Sequence, residues 1–138
     1  METGHIKIII EEGKTPSVEA QLVNNNLWIS AWEIARLFNV FNQKIEMNLR
    51  SIFKSRLLWE EDVSFTHRYT DKGIEKQIVY YNLEVLIFLG YRIATPEAKI
   101  FRQFVNAALC DRLKGDKTPE QNVKIVWLYS HQMNCMWN

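Results

Sequence analysis

Apolar and polar positions change period several times along the chain. Ile6-Lys7-Ile8-Ile9-Ile10 is a short β-branched run and reads as a strand. Glu11-Glu12-Gly13-Lys14 supplies turn chemistry, and alternation resumes at Val18-Glu19-Ala20-Gln21-Leu22-Val23. Asn24-Asn25-Asn26 tolerates positive φ and makes a second tight turn before Leu27-Trp28-Ile29. Three short strands in this order predict a small antiparallel meander.

The period switches to helical at Ser30. Its hydroxyl can accept from the free N–H groups of a following helix, and Glu33 completes a capping box. Ile34, Ala35 and Phe38 then share one face, and Asn39 tolerates the left-handed backbone that ends a helix. A second helix opens near Asn42, with Ile45, Leu49, Ile52 and Phe53 on one side. Gln43, Lys44, Met47, Asn48, Arg50 and Lys54 lie on the other.

Strand alternation returns at Val63, Phe65, His67 and Tyr69. It turns at Thr70-Asp71-Lys72-Gly73 and comes back over residues 75–81, a β-hairpin. Asn82 caps an apolar helix over residues 83–89 that Gly90 stops; apolar almost all round, it belongs in the centre of the core. Thr95-Pro96 starts a long helix. Its stripe of Ile100, Phe101, Phe104, Val105, Ala108 and Leu109 runs toward Gly115. Thr118-Pro119-Glu120-Gln121 repeats the capping logic, so a short last helix is expected, with Val123, Val126, Trp127 and Ser130 facing one way.

Length and composition set the frame for these elements. The chain has 138 residues, 47% of them hydrophobic, which fits one folded domain over residues 1–115 with a tail over residues 116–138. No stretch reaches the roughly 20 apolar residues that span a bilayer. No secretory signal pattern opens the chain. Two cysteines, Cys110 and Cys135, are too few for a disulfide scaffold. The expectation is a reduced, cytoplasmic protein with no membrane contact. Net charge is +1, which excludes a strongly basic nucleic-acid binder in bulk but leaves room for a local patch. Residues 29–60 carry such a patch: Arg36, Lys44, Arg50, Lys54 and Arg56 against Glu33, Glu46 and Glu60.

Two helices joined by a short turn form a helix-turn-helix when a small residue lets them cross closely and the second helix stays free for the major groove. Ala35 supplies the small residue and Asn39 the turn. On the second helix, Gln43 and Asn48 suit adenine edges, Arg50 suits guanine or phosphate, and Lys44 suits either. The hairpin that follows gives the order of a winged helix, with His67, Arg68 and Lys72 placed for phosphates. The same patterns fit an ordinary helical hairpin with a solvated face and a hairpin that merely covers the core. Glu60-Glu61-Asp62 resembles a fragment of a magnesium site, as in a metal-dependent nuclease acting through Glu61 or Asp62, yet acidic clusters commonly just face water. His5, His67 and His131 are far apart, and no phosphate loop occurs. Arg92 and Arg102 each fit two readings: Arg92 as a tether for a helix end and Arg102 in a local ion pair with Glu97 or Glu84, or both extending the basic face toward phosphate.

Several segments resemble the bacterial RhuM virulence-protein family, a group akin in outlook to the Bro-N and KilA-N DNA-binding domains. The resemblance runs from about Ile6 to Leu113. It is carried by Leu27-Trp28-Ile29-Ser30, Ile34-Ala35-Arg36-Leu37-Phe38, residues 45–52 and Phe101-Arg102-Gln103-Phe104. It is strongest in Tyr80-Tyr81-Asn82-Leu83-Glu84-Val85-Leu86-Ile87 followed by Gly90-Tyr91-Arg92. The resemblance implies a DNA-binding module with no assigned chemistry. Two departures stand out: Phe41-Asn42-Gln43-Lys44 replaces the usual Thr or Ser and Arg, and relatives continue further after the position of Leu113.

The sequence therefore predicts an α+β domain: a small antiparallel meander, a winged helix-turn-helix and a long C-terminal helix. The expected activity is non-catalytic binding of double-stranded DNA by a homodimer, with no cofactor and no metal. Gln43, Lys44, Asn48 and Arg50 reach the major groove, and Lys54, Arg56 and Arg68 the phosphates. The alternative is a protein–protein interaction module that keeps the fold without binding DNA.

Overall fold

The computed structural model describes residues 2–115 and 124–128. Two strands, β1 (His5–Ile9) and β2 (Ser17–Gln21), form an antiparallel hairpin in which Ile8 lies opposite Val18. The next strand, β3 (Ile29–Ser30), is two residues long and runs directly into α1 (Ala31–Phe38). Then come α2 (Asn42–Lys54), the single turn α3 (Glu60–Val63), the hairpin strands β4 (Ser64–Asp71) and β5 (Ile74–Tyr81), α4 (Leu83–Gly90) and α5 (Pro96–Leu113). A last strand, β6 (Lys124–Leu128), closes the order. The class is α+β, with both helices and antiparallel sheets.

Two corrections to the expected architecture come from strand pairing. Instead of forming the meander's third strand, the run at Leu27-Trp28-Ile29 ends in β3, which pairs with β5 in a sheet of order β3-β5-β4. The third partner of the first sheet is β6, antiparallel to the free edge of β2. Residues 124–128 are thus strand, where helical spacing was expected; Thr118-Pro119-Glu120-Gln121 lies outside the described residues. Five residues with four consecutive apolar side chains satisfy either period, and pairing with a distant edge decides between them.

The core forms where the helix pair, the base of the hairpin and α4 meet. Ile34, Phe38, Ile45, Ile52, Val85, Leu86, Leu89 and Phe101 are fully buried there. The central position of α4 follows from its apolar sequence. Gly90, expected as a stop, is the buried last residue of α4; a Cβ there would meet the Phe101 ring at 2.6 Å. Phe101 in turn lies edge-to-face with Phe38, with centroids 5.3 Å apart. The apolar stripe of α5 is buried only in its first half: Ala98 and Phe101 are enclosed, whereas Leu109 and Leu113 are exposed.

Candidate nucleic-acid interface

Each helix end that shapes this region has a local cause. Ser30 and Glu33 form the full capping box: the Glu33 N–H donates to Ser30 Oγ, and the Ser30 N–H donates to Glu33 Oε1, both at 3.3 Å. Asn39 takes the left-handed conformation at φ 56°, and the Val40 N–H donates to the Ala35 carbonyl at 3.0 Å. That closure turns the chain within three residues, and α2 packs beside α1 with Ala35 buried between them. The end of α2 repeats the device with Arg56 at φ 63° and Leu57 N–H donating to the Ile52 carbonyl.

Burial of Ile45, Leu49 and Ile52 fixes which way the rest of α2 points. At roughly 100° per residue, the outward ridge opposite them is Gln43, Met47, Arg50 and Lys54. All four are exposed. Lys44 and Asn48 lie on one flank of that ridge, Glu46 and Phe53 on the other. Asn48 is half-buried, and its side-chain Nδ2 donates to the Lys44 carbonyl at 2.9 Å. Its amide is thus turned along its own helix rather than outward, unlike the four ridge residues.

The hairpin adds a second surface. Register places Arg68 opposite Gln77 and Ser64 opposite Tyr81, so Arg68, Gln77 and Tyr81 share one face of the sheet. Tyr81 stacks on Phe53 of α2 at 6.2 Å, so Arg68 lies on the helix side of the hairpin. The opposite face carries Phe65, stacked on Tyr80 at 5.3 Å and edge-on to Trp28 at 4.8 Å. Lys72 and Gly73 form the hairpin tip, both with positive φ, and Lys76 pairs with Asp71 at 3.0 Å. His67 stacks on Tyr69 at 6.0 Å.

Charge is distributed unevenly around α2. Among the described residues none of Lys44, Arg50, Lys54, Arg56 and Arg68 is ion-paired, although Arg56 lies 4.5 Å over the Trp59 ring. On the Phe53 flank, burial pushes the Tyr81 phenol up to about 12, with the negative charges of Glu46 and Glu60 adding to the rise. Carboxylates therefore gather between α2 and the hairpin base, while the ridge and the Lys44 flank stay cationic. Among the described residues no three His, Cys, Asp or Glu side chains converge as a metal site would require, Glu60-Glu61-Asp62 included. Nor is any described helix long and apolar enough to cross a membrane.

Sequence reasoning missed three features here. Arg102 pairs with neither Glu97 nor Glu84: its Nη1 donates to the carbonyls of Gly90 at 2.8 Å and Ile93 at 2.7 Å. Phe41, just before α2, is 89% exposed, and nothing in a hydrophobic pattern marks an apolar residue as outward-facing. Arg92, just past the end of α4, reaches across to the Asn48 carbonyl of α2 at 3.5 Å. No family model, curated protein or solved structure matches the chain.

Proposed function

We propose that the protein binds double-stranded DNA without catalysing a reaction on it, with α2 as the reading helix and the β4–β5 hairpin as a wing. The observation that carries this reading is the exposed ridge of α2, where Gln43, Arg50 and Lys54 face outward and, among the described residues, Arg50 and Lys54 have no ion pair, beside a cationic flank. Gln43 and Arg50 suit base edges in the major groove, while Lys54, Arg56 and Arg68 suit phosphates. Lys44 borders the same surface; Asn48 contributes at most its free Oδ1, since its Nδ2 is held by the helix. A patch this small needs a second copy on a second half-site for useful affinity, hence a homodimer. The resemblance to the RhuM group belongs to the same proposal.

Anisotropy of labelled duplex DNA tests it, at low and at physiological salt, with Lys44→Glu/Arg50→Glu alongside. Binding that weakens steeply with salt and is lost in the variant supports the reading. No duplex binding at low salt overturns it. A second reading, a protein-interaction module, is favoured by the exposed Leu109 and Leu113 on α5. It predicts partner binding that salt hardly weakens.

A further inference from the structure

An open groove of about 550 Å³ lies between the helix-pair turn and the segment joining α4 to α5. Val40, Phe41 and Lys44 form one wall, and Arg92, Ala94 and Thr95 form the other. No carboxylate among the described residues lines it. Lys44 and Asn48 are one helical turn apart, about 6 Å. Arg92 lines the groove with Lys44 and donates to the carbonyl of Asn48, one turn along α2. Two cations, Lys44 and Arg92, thus line one groove.

The wall that presents Arg92 is held at both ends. The Arg92 and Ile93 N–H groups both donate to the Leu89 carbonyl, at 2.9 and 3.1 Å. Arg102 ties down the carbonyls of Gly90 and Ile93, and the Ile93 side chain is buried. Thr95 Oγ1 donates to the last carbonyl of α1, that of Phe38, at 2.7 Å, and accepts from the Ala98 N–H. A backbone fastened this way fixes the wall before any ligand arrives, so the exposed Arg92 side chain, not the wall, is what binding must order. The groove also opens beside the start of α2, where Phe41 provides no side-chain cap for the first N–H groups.

We propose that Lys44 and Arg92 clamp a backbone phosphate of the bound nucleic-acid strand in this groove, fixing the register of α2 on the duplex. The inference rests on the DNA-binding reading above. It moves Lys44 from base recognition to phosphate positioning and adds Arg92 to the interface. Contacts of this kind carry no sequence information; they set affinity and its salt dependence.

The test measures binding of labelled duplexes of several sequences between about 50 and about 200 mM salt. Arg92→Gln is expected to weaken every duplex alike and to reduce the slope of log K against log salt by part of the ~0.9 that one neutralised phosphate contributes per protomer. Lys44→Gln/Arg92→Gln, which frees that one phosphate, is expected to reduce it by the whole ~0.9 per protomer. Circular dichroism checks the fold, and should Arg92→Gln fail to fold, Lys44→Gln alone, at an exposed helix position, carries the same test. A wild-type slope in these variants, while Lys54→Gln and Arg50→Glu still weaken binding, overturns the clamp and leaves the DNA reading standing. Wild-type protein that binds no duplex overturns both.

Discussion

Gly90→Ala tests the junction that sets the groove wall in place. Gly90 is buried at the end of α4, where an added Cβ would lie 2.6 Å from Phe101 Cδ2, 2.8 Å from Cε2 and 3.4 Å from Phe38 Cζ. The Phe101 ring is fully buried and pinned edge-to-face by Phe38, so it cannot swing aside as an exposed side chain would. Overpacking of this kind costs about 1–3 kcal/mol. Alanine's better helix propensity returns up to about 1 kcal/mol, less at a last turn. The net expectation is a loss of about 1–2 kcal/mol, measured by urea unfolding followed through tryptophan fluorescence. A double-mutant cycle isolates the cause. In a Phe101→Leu background the clashing ring edge is gone, and Gly90→Ala becomes neutral or mildly stabilising, giving a coupling of about 1–2 kcal/mol. Gly90→Ala as stable as wild type, or equally damaging in both backgrounds, would refute the argument.

Three further perturbations address other parts of the molecule. Ser30→Ala removes one half of a capping box at a buried site and is expected to lose about 1 kcal/mol in the same unfolding assay. Tyr81 binds its proton more tightly folded than unfolded, about 12 against 10.0, so stability holds below pH 10 and falls as pH rises toward 12. The fall totals about 2–3 kcal/mol and disappears in Tyr81→Phe, which urea midpoints taken across that pH range will show. Arg56→Gly relieves a left-handed backbone but forfeits the contact over Trp59, so its stability stays within about 1 kcal/mol of wild type. If Arg56 touches phosphate, the same variant binds duplex DNA more weakly, which anisotropy reads separately.

Local chemistry made much of this fold visible in the residues. The Ser30–Glu33 box, the left-handed Asn39, the Thr95-Pro96 start and the hairpin turn at Lys72-Gly73 all depend on neighbours a few positions away, and each is present. What was hidden depends on partners far along the chain. β3 needed β5 and β6 needed β2, and neither short run names its partner. The exposed ridge of α2 could be read from spacing, because burial of one face dictates the other. The turning of Asn48 onto its own helix, the two carbonyls held by Arg102 and the approach of Arg92 to α2 could not. Those depend on side-chain reach across elements rather than on period.

The pairing of β6 with β2 has a consequence for how the molecule is made. Synthesis delivers β2 early, with one edge paired to β1 and the other open until residues 124–128 emerge. An unpaired strand edge invites association with other chains. Chains halted before residue 124 therefore carry that edge uncovered, and it closes only once residues 124–128 have emerged.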